Sequence, residues 1–119
     1  DSGNLLLTEF AMSRVQEVDR KGNLVWSFED LKNPYDADRL PNGNTLVTLR
    51  SKGVVQEIDR DGKVVWELKG LSSPSDADRL GNGNTLVAEN KRVAEYDRDG
   101  KAVWQIPATW AVEVHRVER

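Results

Sequence analysis

The stretch DADRLPNGNTLV at residues 36–47 returns forty positions later as DADRLGNGNTLV at residues 76–87. A second pair of segments keeps the same spacing, VQEVDR at 15–20 and VQEIDR at 55–60, and VAEYDR at 93–98 is a third copy after a loop two residues shorter. A repeat period near 40 residues is typical of solenoids, propellers and arrays. The sequence therefore predicts several copies of one supersecondary unit.

Each copy consists of short segments rich in β-branched and aromatic residues, separated by Asn-Gly, Asp-Gly or Lys-Gly pairs. Such pairs accept the positive φ angles of tight hairpin turns. No window has the apolar i, i+3, i+4, i+7 spacing of an amphipathic helix. Four strands fit the second copy, DADRL, NTLVTLR, VVQEID and KVVWEL. We therefore expect an all-β chain in which each copy is a four-stranded antiparallel blade of a β-propeller.

The predicted blades follow one another along a single domain, a half-propeller. Strands two to four of the first blade fall at 3–29, the second blade at 35–69, the third at 75–106 and a final strand at 112–119. The tryptophans near the end of each copy, Trp26, Trp66 and Trp104, are expected to fill the space between blades.

The final strand has no blade of its own in the chain. HRVER at 115–119 occupies the place that YDADR and SDADR hold in the earlier copies. Three blades are too few for a closed ring, since propellers typically have four to eight. We therefore expect this strand to complete the first blade of a partner chain, so that a homodimer closes a six-bladed ring. The alternative is a three-blade piece cut from a longer propeller.

The composition suits one small globular domain, with 119 residues, no cysteine, a formal charge of −3, 38% hydrophobic and 31% charged residues. The mildly acidic balance argues against nucleic-acid binding, which uses clustered Lys and Arg. No apolar run approaches the roughly 20 residues of a membrane span, and no basic-then-apolar leader is present. We therefore expect neither membrane insertion nor a signal peptide. The absence of cysteine leaves the compartment open.

The pattern DADRLPNGNTLV followed by VVQEIDRDGKVVWEL resembles the blade repeat of the arylsulfotransferase-like and quinoprotein-like propellers, and more loosely that of NHL-type blades. The resemblance covers nearly the whole chain. It implies that the strand beginning at Asp36 is innermost, and that the loops before the first strand and after the second open on one shared face.

In the arylsulfotransferase-like family, a His-Asp pair often precedes the Leu-Pro-Asn-Gly-Asn turn, and a channel histidine takes the sulfuryl group. The matching positions here hold Tyr35-Asp36, Ser75-Asp76 and His115-Arg116. No copy carries the full pair. A sulfotransferase activity implied by the resemblance would therefore depend on His115 alone.

The loops expected on the shared face differ between the copies, whereas the blades are nearly constant. Variation on one rim over constant blades is the usual way in which propellers carry binding sites. The candidate binding residues combine charged groups with aromatics around a channel mouth. They are Tyr35, Asp36, Arg50, Lys52, Asp76, Lys91, Arg92, Trp110 and His115. A small anionic or sugar-like ligand would suit them, although a polar rim is also an ordinary soluble surface.

Other motifs favour structural roles. The acids that precede each arginine of DADR and VER, Asp38, Asp78 and Glu118, are expected to pair with bases on a neighbouring strand or blade. DRDG at 59–62 and 97–100 is too short for a calcium loop and predicts a hairpin turn. GNGNTL lacks the third glycine and the helix of a dinucleotide site. No metal or cofactor is therefore expected.

Three functions fit these observations. The preferred one is a non-enzymatic propeller scaffold or binding module that assembles from two identical half-rings. The second is a degenerate arylsulfotransferase-like enzyme in which His115 reacts, with Arg92 or Arg116 supplying charge and Asp36 or Asp76 orienting the imidazole. The third is an engineered or amplified repeat without a selected ligand. A lone histidine near a chain end is more often polar surface, which disfavours the second.

Overall fold

The computed structural model of the chain describes residues 3–9, 13–29 and 34–108. Within them, short strands alternate with tight turns, and a single 3-10 turn at Arg50–Lys52 is the described helical element. The strands are β1 (Leu5–Glu9), β2 (Arg14–Val18), β3 (Leu24–Phe28), β4 (Asp36–Arg39), β5 (Thr45–Leu49), β6 (Val54–Ile58), β7 (Val64–Leu68), β8 (Asp76–Arg79), β9 (Thr85–Ala88), β10 (Arg92–Tyr96) and β11 (Ala102–Pro107).

These strands form three separate antiparallel sheets, one for each copy of the repeat. The first sheet runs β1-β2-β3, the second β4-β5-β6-β7 and the third β8-β9-β10-β11, so strands adjacent in sequence are adjacent in the sheet. This confirms the predicted all-β fold of antiparallel, blade-like sheets. The strand predicted at 112–119 lies outside the described residues. None of the described segments forms a helix with the length and apolarity of a membrane span.

The Asp-Arg-Asp-Gly segments are hairpin turns, as predicted. The carboxylate of Asp59 accepts hydrogen bonds from two backbone N–H groups of its own turn, at 3.0 and 2.9 Å. Gly62 adopts a φ of 86°, a conformation that glycine reaches without the steric cost of a side chain. Asp19 and Asp97 make the same two side-chain bonds in the first and third sheets. The aspartates therefore cap turns.

Two apolar clusters join the sheets into one body. Neighbouring residues on β5, Leu46 and Val47, point to opposite faces, and both are buried. The second sheet is thus packed on both sides, as expected for an internal blade. The cluster between the first two sheets contains Val15, Val47, Leu49, Val54 and Ile58. The cluster between the second and third sheets contains Leu40, Leu46, Val55, Leu68, Leu71, Ala77, Val87, Ala94 and Tyr96.

An indole on the last strand of one sheet is hydrogen-bonded to a turn of the next sheet at both junctions. The Nε1 group of Trp26 donates to the backbone carbonyl of Arg60 at 2.9 Å. Trp66 donates in the same way to the carbonyl of Arg98, also at 2.9 Å. The expectation that tryptophans fill the space between blades is therefore met at both junctions. Trp104 differs, since it is exposed on the outer face of the third sheet.

A charged group covers each of these indoles. Arg39 lies 4.8 Å from the centroid of Trp26 and forms an ion pair with Glu17 at 2.6 Å. Arg79 lies 4.7 Å from the centroid of Trp66 and pairs with Glu57 at 2.9 Å. The acids of these pairs are thus glutamates of the preceding sheet, Glu17 on β2 and Glu57 on β6. The ion pairs that the sequence predicts for Asp38 and Asp78 with bases on a neighbouring strand or blade stay a prediction.

The asparagines directly before β1 and β5 fix the same glutamates from within their own sheets. Asn44 donates to Glu57 at 2.8 Å, and Asn4 donates to Glu17 at 2.8 Å. Hydrogen bonds, led by that from Asn4, hold the pKa of Glu17 below its ordinary value although burial opposes them. Burial likewise opposes the shift at Glu57, but its hydrogen bonds outweigh burial and lower that pKa too. Both junction glutamates are therefore stabilised in the charged form.

Candidate functional site

The first strands of the second and third sheets, β4 and β8, lie beside each other although they belong to different sheets. Their contact brings the side chains of Asp36, Asp38 and Asp76 together, with carboxylate oxygens within 4.8 Å of one another. Asp76 is buried, Asp36 is half-buried and Asp38 is exposed. This acidic cluster (Asp36, Asp38 and Asp76) concentrates carboxylate oxygens at one end of the inner strands.

The donor chemistry of the acidic cluster is limited to carboxylate oxygens. Hard cations such as Ca²⁺ accept oxygen ligands, but they take roughly six to eight of them. The three described carboxylates can also accept hydrogen bonds from ligand hydroxyl or ammonium groups. The cluster by itself therefore defines an acceptor surface and not a particular metal centre.

An aromatic residue and an arginine stand next to this cluster. Tyr35 directly precedes Asp36, and its side chain is 40% exposed. The guanidinium of Arg50 lies 5.1 Å from the Tyr35 ring centroid, and its Nη1 donates to the phenol oxygen at 3.3 Å. Arg50 belongs to the turn after β5, so two loops of the second sheet meet at this point. The structure thus brings Tyr35, Asp36, Arg50 and Asp76 to the same end of the sheets.

The remaining predicted binding residues are placed less closely. Lys52 and Lys91 are exposed in the loops that follow the second strand of their sheets. Trp110 and His115 lie outside the described residues, so their part in the site stays a prediction. The described site therefore consists of the acidic cluster with Tyr35 and Arg50, flanked by two solvated lysines.

Arg92, also predicted to bind a ligand, is hydrogen-bonded to groups of its own sheet. Its Nε lies 3.1 Å from Glu89, its Nη2 donates to the Tyr96 hydroxyl at 2.8 Å and its Nη1 donates to Gln105 at 2.6 Å. The Tyr96 hydroxyl in turn donates to the fully buried Glu89. The hydrogen bond that Arg92 donates to Glu89 raises the pKa of Arg92. Its own sheet therefore positions Arg92, whose side chain is still 38% exposed, and its part in ligand binding stays a prediction.

The Glu89 carboxylate also secures a loop on the same end of the molecule. The backbone N–H of Ser72 donates to Glu89 at 2.9 Å, and Ser72 accepts from the N–H of Asn90 at 2.8 Å. Burial, followed by the hydrogen bond to Glu89, raises the pKa of Tyr96, so its phenol stays protonated. A buried, fully engaged polar group of this kind positions the loop ahead of β8 and its Asp76.

Sequence reasoning placed Asp36 and Asp76 in the site but assigned Asp38 to an ion pair. The repeat carries the signal for the cluster, because Asp36 and Asp76 occupy the same position on adjacent inner strands. The position of Asp38 depends on the distance between those strands. That distance is set by side-chain packing between sheets, which the pattern does not contain.

The sheets, their junctions and the inner-strand site together define β-propeller architecture. The PQQ_2 family model, described as outer membrane protein assembly factor BamB, matches residues 11–116. This match covers most of the chain, which therefore belongs to this family of β-propeller repeats. None of the curated proteins matches the chain.

Solved structures share the fold. A protein of unknown function from Bacteroides caccae is 25% identical with a TM-score of 0.64, and the match covers 80% of this chain and 38% of that one. Streptogramin B lyase is 15% identical with a TM-score of 0.72, covering 94% and 40%. A catalytically inactive virginiamycin B lyase from Staphylococcus aureus with quinupristin is 21% identical with a TM-score of 0.66, covering 87% and 37%. The chain therefore spans about two fifths of the length of these proteins.

Proposed function

We propose that this chain is a non-enzymatic propeller scaffold that self-assembles, two copies closing one six-bladed ring around a channel with a ligand site at its mouth. The observation that carries the proposal is a mismatch between equivalent positions. Apolar side chains of β1 and β11 on the outer faces of the first and third sheets are exposed, whereas their counterparts at the internal junctions are half-buried or buried. Exposed contiguous apolar faces commonly mark interaction surfaces.

The outer face of the first sheet carries leucines on β1. Leu5 is 58% exposed and Leu7 is 41% exposed. The equivalent residues of the second sheet, Thr45 and Val47, are fully buried against the first sheet. The face of the first sheet therefore has the composition of a blade interior but lies open in the single chain.

On the outer face of the third sheet, the apolar side chains of β11 are also more exposed than their counterparts at the closed junction. Trp104 is 46% exposed and Ile106 is 45% exposed. Their counterparts at the closed junction are Trp66, which is half-buried, and Leu68, which is buried. One end of the chain thus presents the trailing face of a blade, and the other end presents the leading face. Two such faces belong together in a head-to-tail contact.

The inner edge of the first sheet supports the same assembly. Among the described residues, β1 pairs with β2 alone, so its other edge offers backbone groups for a further strand. A cavity of about 680 Å³ lies between the start of β1 and the end of β4, lined by residues that include Asn4, Arg39 and Leu40. We assign this edge to the strand predicted at 112–119, supplied by the partner copy.

Two chains of three blades are the smallest combination that falls within the usual four to eight blades. Light scattering coupled to size-exclusion chromatography tests the proposal directly. We expect a mass of twice 13.4 kDa for the 119-residue chain at micromolar concentration. A stable monomer would contradict the proposal and favour a piece of a longer propeller.

For the ligand, the described mouth favours a neutral, sugar-like molecule over an anion. The exposed ring of Tyr35 offers an apolar surface for stacking. The carboxylates of Asp36 and Asp76 can accept hydrogen bonds from hydroxyl groups of the ligand. An anion would meet the negative potential of the acidic cluster. In a thermal-shift screen, neutral oligosaccharides should stabilise the protein more than sulfated compounds, and Tyr35→Ala should remove the shift while Lys52→Ala keeps it. A shift confined to sulfated compounds would reverse this choice.

The negative potential of the acidic cluster disfavours the arylsulfotransferase-like alternative, because an anionic sulfuryl donor would have to approach three carboxylates. The lyases among the similar structures share 15% to 21% identity with this chain, which shows the fold alone. Neither sulfuryl transfer nor lyase activity is therefore preferred to the scaffold function. An amplified repeat without a selected ligand would still form the ring but would give no shift in the screen.

A further inference from the structure

The turn between the third and fourth strands of a blade receives the preceding blade at both internal junctions. At each, an indole Nε1 donates to the carbonyl of the arginine in the turn, Arg60 or Arg98. The first sheet carries the same turn with Arg20 at that position, outside any junction of the described chain. The turn is already formed, because Gly22 donates to the Asp19 carbonyl at 3.0 Å. An acceptor equivalent to Arg60 is therefore preorganised on the outer face of the first sheet.

A second contact accompanies the indole at each internal junction. The residue two positions after the tryptophan packs on the glycine of the turn. A Cβ built on Gly62 would lie 2.2 Å from the Phe28 ring, and one on Gly100 would lie 3.4 Å from Leu68. The space over Gly22 is open, with nothing within 4 Å of such a Cβ. Gly22 therefore offers an open surface equivalent to those that Phe28 and Leu68 cover at Gly62 and Gly100.

The third sheet carries the matching donor half. Trp104 and Ile106 occupy the positions of Trp66 and Leu68, and both are exposed. Glu95 is at the position of Glu57 and accepts a hydrogen bond from Asn84 at 2.8 Å, as Glu57 does from Asn44. Donor and acceptor halves of one junction are thus present in a single chain, on opposite outer faces.

We propose that Trp104 of one copy binds to the Asp19–Asn23 turn of a second copy. In this contact, called the Trp104 lock, the Nε1 group of Trp104 donates to the Arg20 carbonyl and Ile106 packs on Gly22. This rests on the proposed assembly and names the contacts that close it. The match continues an interface already seen twice within the chain, so the occupant of the outer face is another copy and not an unrelated protein.

The charges of the two halves are complementary. At the internal junctions the turn arginine lies over the indole, Arg60 at 5.6 Å from the Trp26 centroid and Arg98 at 5.5 Å from that of Trp66. Arg60 also approaches Glu17 at 3.3 Å. In the lock, the Arg20 guanidinium takes this place between Trp104 and Glu95. The basic turn thus meets an acid and the face of an indole.

Two single variants break opposite halves of the lock in the full-length chain. Trp104→Ala removes the donor, and Leu7→Asp places a charge on the acceptor face. Both residues are exposed in the single chain, so each variant should fold, which circular dichroism checks. We expect each to raise the dimer dissociation constant about a hundredfold in sedimentation experiments, because desolvated aromatic anchors dominate interface energies. Val103→Ala, a control that alters an equally exposed side chain on the other face of β11, should leave the constant unchanged.

Trp104→Phe isolates the indole hydrogen bond. It retains most of the apolar ring but removes the Nε1 donor, and we expect a weakening of about fivefold, the loss of one net hydrogen bond. A weakening as large as that of Trp104→Ala would also support the lock. No weakening in either tryptophan variant would overturn it.

Mixing the two broken variants tests the head-to-tail direction. The Trp104→Ala chain keeps an intact first sheet, and the Leu7→Asp chain keeps an intact third sheet. A mixture can therefore form one complete junction that neither variant forms alone, and it should contain more dimer than either variant at the same total concentration. A Leu7→Asp chain that dimerises like the wild type would overturn the lock in favour of third sheet meeting third sheet.

The outcomes separate this inference from the proposed function. A wild-type dimer that is unaffected by Trp104→Ala overturns the lock and leaves the assembly standing. A wild-type monomer overturns both. Dissociation of each variant with recovery in the mixture supports both.

Discussion

Trp66 and Trp104 have the same place in successive copies of one repeat but different surroundings. Trp66 is half-buried, covered by Arg79 and bonded to the Arg98 carbonyl. Trp104 is exposed on the third sheet. The local sequence is nearly the same, KVVWEL against KAVWQI, so the difference comes from what the next sheet supplies. A blade of this repeat is therefore completed by its neighbour.

Replacing the two tryptophans should produce the largest contrast. Trp66→Ala should lower the free energy of unfolding by about 3 kcal/mol, since it removes the packing of the indole and its hydrogen bond at a closed junction. Trp104→Ala should cost the unassembled chain about 1 kcal/mol or less, because that ring is already in water. Urea denaturation below the dimer dissociation constant measures both. Equal losses would show that Trp104 is packed within the single chain.

The turn glycines should give a smaller, graded effect. Gly22, Gly62 and Gly100 have φ angles of 86° to 87°, so an alanine carries the same backbone strain of about 1 to 2 kcal/mol at each. Gly62→Ala should cost about 2 kcal/mol more, because its methyl group would overlap the Phe28 ring. Gly22→Ala is the matched control in the unassembled chain, where the space over Gly22 is open, so both variants are measured below the dimer dissociation constant. If unfolding experiments give the same value for both, the Phe28 contact is not tight in solution.

The pH dependence should give the smallest effect. At Glu57 burial offsets part of the hydrogen bonding, and the pKa is still lowered. The stability that its carboxylate contributes is therefore present above the unfolded-state pKa and is lost as the pH falls through the folded-state pKa. Between about pH 5 and about pH 3, the free energy of unfolding should fall more steeply for the wild type than for Glu57→Gln.

At neutral pH, Glu57→Gln will be less stable than the wild type, because Arg79 loses its charged partner, and this difference shrinks as Glu57 of the wild type is protonated. The comparison therefore concerns the slope and not the absolute value. Denaturant titrations at several pH values supply it. Parallel curves would show that other carboxylates account for the acid sensitivity and that the junction pair contributes none of it.

The side chains at equivalent interior positions of the second and third sheets also differ in a way that the repeat does not predict. Leu49, Val54 and Ile58 form part of an apolar cluster in the second sheet. The equivalent positions of the third sheet hold Glu89, Arg92 and Tyr96, which form a hydrogen-bonded group instead. The sequence placed Arg92 on a binding rim, since a cation in a loop usually faces water. Its hydrogen bonds to Glu89 and Tyr96 were not predictable, because they depend on which neighbouring side chains point toward it.

The strands and hairpins were predictable because their causes are local. Asparagine, aspartate and glycine fix the turns within a few residues, and Asp59 and Gly62 act entirely inside one turn. The repeat period then gave three sheets of one kind. The candidate site was predictable in part, since Asp36 and Asp76 share a repeat position.

By itself, the sequence determined the hairpins, the antiparallel sheets and their number among the described residues, through short-range backbone and turn chemistry. Only the tertiary structure decided which acid pairs with Arg39 and Arg79, how Asp38 joins the acidic cluster and which apolar faces stay open. These features depend on distances between sheets, which are set by side-chain packing across a junction. A residue pattern records which residue types are available at such a junction, but the three-dimensional packing decides which of them meet.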